Sequence, residues 1–402
     1  MSLGLRDIHD KEVPNLINKL IRFLGSERVD CAIRRFKSSL NCSRPVYRDY
    51  YLKWRHPWWI GLSEYVELSK AGKSIHKHLS PNIEMLAADA KKVIELQKFM
   101  PDNVIRNYKG NLLDDKRAND FIYELHVAWH HLLKGSEVQW NELDGPQHEF
   151  TVKNGAFSFN VECKRISVDS FRKIKRGDFY NLVDLLLPDI QDRNLTGKVE
   201  LAINDRLKGT DSFIDGLKAF ILDTIDRGFT CGNYENDVCK INLNLLPGSN
   251  REVDMHQEYR DMWQSKMHQD HGAIIAKSHN NAPADPIHFL CRSEKLDHIL
   301  KGIGTKLKDA SNRQLNDSMP GIISVFVEDI DDFSDVASES GLQMMTSEFL
   351  ASEKRKHIAA VIYSSDSKCL PDAMTKTYFS QGLIYRNNNC KFKDALGYKY
   401  LS

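Results

Sequence analysis

The alternation of apolar and polar residues between Phe157 and Lys164 predicts a β-strand. Its odd-numbered positions carry Phe, Phe, Val and Cys, and its even-numbered positions carry Ser, Asn, Glu and Lys. Successive side chains of a strand point to opposite faces, so this pattern predicts one face in the core and one face exposed to solvent. Glu162 and Lys164 are therefore expected to project side by side from the exposed face.

A second alternating run, at 148–152, precedes this strand and is joined to it through an Asn-Gly pair. Asn-Gly between two apolar runs is the strongest short-range signal for a β-hairpin. If the polar faces of the two strands coincide, Glu149 lies near Glu162 and Lys164. Asp144, in the loop ahead of the hairpin, is a second acid that could reach the same place.

Upstream of the hairpin the pattern changes to a helical period, between residues 116 and 134. Four apolar residues at spacings of four, three and four form one stripe: Phe121, Leu125, Ala128 and Leu132. The glycine at position 135 is expected to end the helix. At about 100° per residue, Glu124 lies roughly 60° from the centre of the stripe, which predicts a half-buried acid leaning over the edge of a sheet.

Over the whole chain, helical patterns dominate residues 1–115, and short apolar strands alternate with helices after them. This order predicts an α/β fold, in which a mixed β-sheet is flanked by helices and preceded by a mostly helical N-terminal region. We therefore expect a helical region at 1–115 and an α/β domain at 116–402. The polar stretch around 229–286, rich in Asn, His and Asp, is predicted to be an insertion in that domain.

Composition narrows the class of protein. A hydrophobic content of 41% and a charged content of 28% are ordinary for a globular protein. The net charge of +1 provides no overall attraction to nucleic acid, so any basic surface has to be local. Apolar runs are too short to cross a membrane, and scattered cysteines without a CxxC pair are typical of reduced thiols. These features predict a cytoplasmic protein without a membrane partner.

Basic and aromatic residues are interleaved at 28–59, which would suit phosphate contacts combined with base stacking. The residues taken as candidate nucleic-acid contacts are Arg34, Arg35, Lys37 and, beside the Glu-x-Lys pair, Arg165. The alternative is a solvated basic face next to a buried helix stripe, because Tyr50, Trp54 and Trp58 repeat every fourth residue. The sequence leaves both interpretations open.

A carboxylate next to an ammonium has a well-defined use, because the carboxylate can hold a hard divalent cation while the ammonium positions a water. A helix with a glutamate, an acid opening a hairpin, and Glu-x-Lys in the second strand resemble the PD-(D/E)XK nuclease-like superfamily, which includes many restriction endonucleases. The resemblance covers 116–166 and, more loosely, 294–328. Glu162 and Lys164 match the (D/E)xK pair, and Glu124 matches the helix glutamate.

The family's aspartate has no direct counterpart in this sequence. The run Pro146-Gln147-His148-Glu149-Phe150 stands where Pro-Asp-Phe would be expected. Glu149 is therefore the first match for the aspartate and Asp144 the second. This departure leaves the identity of one metal ligand open.

The resemblance implies that 116–402 is a restriction-endonuclease-like domain with Mg²⁺-dependent endonuclease activity, Mn²⁺ as a substitute metal, and DNA preferred to RNA. The implied metal ligands are Glu162, Glu149 or Asp144, the backbone carbonyl of Cys163, and Glu124 through water. Lys164 would orient the attacking water or stabilise developing charge. A role in prokaryotic restriction or phage defence is also implied, and a homo-oligomer or a partner subunit is left open.

Two alternatives compete with this interpretation. One is a catalytically inactive nuclease-fold protein that binds nucleic acid or a partner, which the missing aspartate motivates. The other is that Glu162 and Lys164 form only a surface ion pair, as charges on exposed strands often do.

Overall fold

The computed structural model describes residues 8–141, 148–155, 157–167, 169–265, 271–280, 282–328, 341–368 and 378–393. In this part of the chain mixed β-sheets are flanked by helices and preceded by a helical N-terminal region, which confirms the predicted α/β class. The chain divides into two compact units. The first consists of Met1–Leu40, Lys53–Ser167 and Leu300–Ser402, and the second of Asn41–Leu52 and Val168–Ile299.

The α-helices are, in chain order, α1 (Val13–Leu24), α2 (Ser26–Ser39), α3 (Pro45–Tyr50), α4 (Trp59–Lys70), α5 (Pro81–Leu96), α6 (Asp102–Asn111), α7 (Ala118–Leu133), α8 (Arg176–Asp192), α9 (Asp211–Asp226), α10 (Met255–Ser265), α11 (Ile299–Asp309) and α12 (Gly341–Ala351). A π-helical turn, Ala310–Gln314, continues α11. Short 3-10 turns lie at Leu52–Trp54, Ile75–Lys77, Gln97–Phe99 and Glu353–Arg355.

The strands are β1 (Glu137–Trp140), β2 (Phe150–Asn154), β3 (Phe157–Ile166), β4 (Leu195–Ile203), β5 (Cys231–Glu235), β6 (Cys239–Pro247), β7 (His271–His279), β8 (Ala282–Ser293), β9 (Gly321–Val327), β10 (Ile358–Lys368) and β11 (Tyr378–Arg386). The first unit contains a six-stranded sheet of order β1-β2-β3-β9-β10-β11. In it β9 is parallel to both β3 and β10, and the other neighbours are antiparallel.

Helices cover both faces of this sheet. On one face the ring of His131 in α7 lies 5.5 Å from that of Phe159 in β3. On the other face α12 packs through Thr346, whose hydroxyl lies 2.8 Å from the hydroxyl of Tyr363. The π-helical turn also packs against β3. A strand in the middle of such a sheet is buried on both sides, so the prediction that Glu162 lies on an exposed face is wrong.

Helices α1, α2 and α4 to α7 belong to the first unit, whereas α3 belongs to the second. One hydrophobic core contains Ile17 and Leu86 from these helices together with Val161 from β3. The predicted boundary at residue 115 therefore lies inside one compact unit. The reason is that α5 packs against α7, which in turn packs against β3.

The second unit has a five-stranded sheet of order β5-β6-β4-β8-β7, with β4 parallel to β8 and the other neighbours antiparallel. Helices α8 and α9 share a core with Val199, Leu201 and Ile203 of β4. The polar side chains that alternate with the core positions of β6 are exposed: Lys240, Asn242 and Asn244. This unit contains the predicted insertion at 229–286 but is wider, because α8, β4 and α9 supply most of its core.

The aromatic residues expected to form one helical stripe lie in three different elements. Tyr50 ends α3, Trp54 lies in the 3-10 turn, and Trp58 precedes α4. Trp58 is buried, and its indole N–H donates to Asp89 Oδ2 at 2.8 Å. The single helix stripe is therefore wrong, although Trp58 does belong to the core.

Candidate active site

The predicted hairpin forms and brings the two strand acids together. Gly155 in its turn has φ +58°, a conformation that residues with a Cβ rarely adopt. The register sets Phe150 opposite Val161, and the Glu149 N–H donates to the Val161 carbonyl at 3.2 Å. Glu149 therefore lies across from Glu162, directly beyond the last paired residues of the ladder.

Glu162 and Lys164 form a buried ion pair. The distance from Lys164 Nζ to Glu162 Oε1 is 2.5 Å, and the two side chains are 12% and 0% exposed. The second carboxylate oxygen, Glu162 Oε2, has no hydrogen-bond partner in the part of the chain that the structure describes. A buried polar atom left without a partner is costly, so this oxygen marks an incomplete site. The surface ion-pair interpretation is wrong.

Glu124, on α7, is also buried, where the sequence predicts a half-buried acid. Helix α6 packs against α7 and places the Tyr108 hydroxyl so that it donates to Glu124 Oε2. A helical wheel describes one helix alone, and for this reason it could not anticipate the cover that α6 provides. We refer to Glu124, Glu149 and Glu162 as the acid cluster; Glu149 keeps part of its surface exposed.

The acid cluster holds its carboxyls away from their ordinary titration range. Burial and then the charge of Glu149 raise the pKa of Glu162 to about 8. Burial raises the pKa of Glu149 to about 7 against the lowering effect of Lys164. Burial, followed by the charge of Glu149, raises the pKa of Glu124 well above its usual value. Three carboxyls that lie close together in a poorly solvated place repel one another when they are ionised. An additional positive charge would therefore stabilise their ionised forms.

The donor chemistry of the acid cluster fits a hard divalent cation, because carboxylate oxygens are the ligands such ions prefer and Glu162 Oε2 has no hydrogen-bond partner among the residues that the structure describes. Among the described residues, however, no group of three or more His, Cys, Asp or Glu side chains is arranged to hold a metal ion. Lys164 Nζ occupies the other Glu162 oxygen. Asp144, the second match for the family aspartate, lies outside the described residues.

Cys163 projects to the opposite face, as its odd position predicts, since its register partner Ser324 bonds to Tyr123 of α7. Burial, together with the charges of Glu149 and Glu124, raises the pKa of its thiol well above the ordinary value. The thiol is therefore unsuited to act as a thiolate ligand. The predicted role of the Cys163 backbone carbonyl stays a prediction.

Arg165, predicted to contact nucleic acid, is held inside the protein by two carboxylates. Its Nε lies 2.5 Å from Asp120 Oδ1, and its Nη1 lies 2.9 Å from Glu328 Oε1. Its side chain is 11% exposed. The guanidinium thus joins α7 to the end of β9 and balances Asp120, whose charge acts on Glu124 and Glu149.

The other predicted nucleic-acid contacts lie on α2, which packs against α1 and α4. Arg34, Arg35 and Lys37 are exposed there. Lys37 Nζ lies 2.6 Å from Glu67 Oε1, so that part of its charge is balanced. The three cations therefore lie on the exposed side of a helix that packs against other helices.

Sequence reasoning missed three residues that shape this site: Tyr108, Asp120 and Asp309. Tyr108 bonds Glu124, Asp120 bonds Arg165, and the charge of Asp309 raises the pKa of Glu162. Each acts through a neighbour that is distant in the chain or on another element. No spacing within the sequence signals such partners.

Neither a protein-family model, nor a curated protein, nor a solved structure matches this chain. A search of the described helices for a stretch both long and apolar enough to span a membrane finds none. The chemistry of the side chains around the acid cluster therefore carries the functional conclusion.

Proposed function

We propose that this protein is a metal-dependent nuclease of the PD-(D/E)XK type that hydrolyses phosphodiester bonds and prefers DNA to RNA. The observation that supports it most is the buried acid cluster beside Lys164, in which Glu162 Oε2 has no partner among the described residues. Burying a charged carboxylate costs several kcal/mol unless a compensating charge is present. An arrangement that costs stability and lacks positive charge is typical of a cation-dependent site.

Glu162 and Glu149 would hold the Mg²⁺ or Mn²⁺ ion, with Glu124 contributing through water. Such an ion, when bound, polarises the phosphodiester and lowers the pKa of a water molecule. Lys164 is restrained by Glu162 and is therefore preorganised to stabilise the negative charge that develops during cleavage. The Tyr108 hydroxyl donates a hydrogen bond to Glu124 Oε2 and so holds this carboxyl in place.

The test is cleavage of double-stranded DNA, single-stranded DNA and RNA by the purified chain in Mg²⁺, in Mn²⁺ and in EDTA. We expect metal-dependent cleavage by the wild type and a loss of about 10²-fold or more in Lys164→Ala and Glu162→Gln. The matched control is Lys198→Ala, which removes a lysine from an ion pair of the same length on β4. This control should cut like the wild type.

A second candidate is a catalytically inactive nuclease-fold protein that binds nucleic acid or a partner. It is favoured by one observation, the absence of a three-ligand group among the described side chains. If the folded wild type cuts none of the three substrates in either metal but still binds them, this second candidate replaces the first. A cytoplasmic location, a role in restriction or phage defence and a homo-oligomer or partner subunit belong to the same proposal.

A further inference from the structure

Helix α11 carries three lysines, two of which share its outer side. Lys301 and Lys308 are exposed and Lys306 is half-buried, while Ile303 and Leu307 are buried against the unit's core. Positions seven apart on a helix share one face and are about 10 Å apart along its axis. Lys301 and Lys308 therefore share one face, whereas Lys306 lies about 140° round the helix from Lys301. We refer to Lys301 and Lys308 as the basic surface.

The basic surface ends beside the acid cluster. The π-helical turn that continues α11 packs against β3, the strand that carries Glu162. His357 Nε2 lies 3.2 Å from the Ser311 carbonyl, which ties the turn to β10. Asp309, the last residue of α11, lies close enough for its charge to act on Glu162. A phosphate chain that reached Glu162 from this side would pass α11.

The lysines of the basic surface form no ion pair with any residue that the structure describes. By contrast, Arg313, one turn further on, pairs with Asp309 at 3.2 Å. An acid cluster by itself repels polyanions, so a substrate with phosphates needs cations close to it.

We propose that Lys301 and Lys308 bind the phosphate backbone of a nucleic acid next to the acid cluster. The identity of this ligand rests on the proposed function. The exposed positions of α11 are occupied by Lys301, Thr305 and Lys308, without the apolar residues that a membrane-surface helix buries in lipid. Lysine contacts to phosphate do not read bases, so binding through this surface is independent of sequence and sensitive to salt.

The experiment measures binding without cleavage. The anisotropy of labelled duplex DNA, single-stranded DNA and RNA is followed in EDTA over a series of salt concentrations, with the full chain and with the double variant Lys301→Gln, Lys308→Gln. The wild type should bind, and the variant should lose about tenfold in affinity and about 2 in the slope of log K against log salt, since each phosphate contact contributes about 0.9. The matched control replaces two exposed lysines on and after α4, Lys70 and Lys73, and should bind like the wild type.

The outcomes separate this inference from the nuclease proposal. Weaker binding of the double variant, with unchanged binding of the control, supports the basic surface even if no metal supports cleavage. Unchanged binding and an unchanged salt slope overturn the inference even if the wild type cuts DNA. If the double variant loses the wild type's binding to vesicles containing phosphatidylserine but still binds nucleic acid like the wild type, the inference is overturned and the partner is a membrane surface. Equal thermal unfolding of the wild type and both variants shows that the exposed substitutions leave the fold intact.

Discussion

Two ion pairs of the same composition lie on the middle strands of the two sheets. Glu162 and Lys164 stand two residues apart on β3, and Lys198 and Glu200 stand two residues apart on β4. The Nζ–Oε1 distance is 2.5 Å in each pair. As sequence patterns the two pairs are nearly equivalent.

Their surroundings differ. Glu162 is inaccessible to solvent and its Oε2 has no partner in the described part of the chain, whereas Glu200 is 28% exposed and its Oε2 accepts from Asn242 Nδ2 at 2.8 Å. The sheet around β3 has helices on both faces, while the β6 part of the face of the second sheet that carries Asn242 is exposed. A Glu-x-Lys pattern therefore forms a candidate site only where helices pack over its strand and bury the pair.

The largest expected difference is in stability. Above about pH 8, where Glu162 is ionised, Lys164→Ala leaves a buried carboxylate without its cation, so we expect a loss of about 3–5 kcal/mol in the free energy of unfolding there. Lys198→Ala breaks a partly exposed pair and should cost less than about 1 kcal/mol. Urea unfolding monitored by circular dichroism measures both values. Equal losses would show that the burial of the β3 pair has no energetic consequence.

Metal binding should separate the two pairs next. A ligand present at 100 times its dissociation constant stabilises the native state by about 2.7 kcal/mol, so Mg²⁺ or Mn²⁺ should raise the melting temperature of the wild type. Glu162→Gln should abolish this shift, and Glu200→Gln should retain it. If both variants keep the metal-induced shift, the acid cluster is not the metal site.

The metal-free protein should respond to pH through the β3 pair. A carboxyl whose pKa is raised to about 8 in the folded state binds more protons there than in the unfolded chain. Its stabilisation is therefore complete below about pH 4.5 and declines as pH rises through 8, by about 2 kcal/mol between pH 5 and pH 7. The difference in unfolding free energy between the wild type and Glu162→Gln isolates this contribution. A difference that stays constant across this range would contradict the raised pKa.

This difference measurement is needed because buried histidines act with the opposite sign. Burial lowers the pKa of His56 to about 4 in the folded state. His56 Nε2 lies 2.9 Å from the Leu112 carbonyl, and its Nδ1 accepts from the Trp58 N–H at 3.1 Å, so that its neutral form is fully bonded. Its stabilisation is present above about pH 6.5 and is lost as pH falls towards 4.

The smallest expected effect concerns the support of Glu124. Tyr108→Phe removes the hydroxyl donated to a buried carboxyl and should cost about 1–2 kcal/mol of stability, and up to about tenfold in Mg²⁺ affinity. Tyr234→Phe removes a hydroxyl bond to the Cys231 carbonyl in an exposed setting and is the matched control. Calorimetric titration with Mg²⁺ measures the affinities. Equal affinities of the two variants would leave Tyr108 with a structural role only.

Local patterns were sufficient for much of the fold. The hairpin follows from period-two alternation around an Asn-Gly turn, and α7 runs at Ala118–Leu133 within the predicted 116–134. The antiparallel register then places Glu149 opposite Glu162 as expected, because a hairpin leaves little freedom in how its strands pair. The domain boundaries could not be predicted in this way, since α5, α7 and β3 share a core across residue 115.

The sequence by itself determined which acids share the hairpin and that Lys164 lies beside Glu162, because neighbours on one face of a strand are set by a period of two residues. Only the tertiary structure decided that the acids are buried, that Tyr108 supports Glu124, that Arg165 pairs with Asp120 and that α11 ends next to Glu162. Burial depends on what distant segments place over a strand. The same Glu-x-Lys spacing is therefore the centre of a candidate site on β3, while its reversed counterpart on β4 is a partly exposed ion pair.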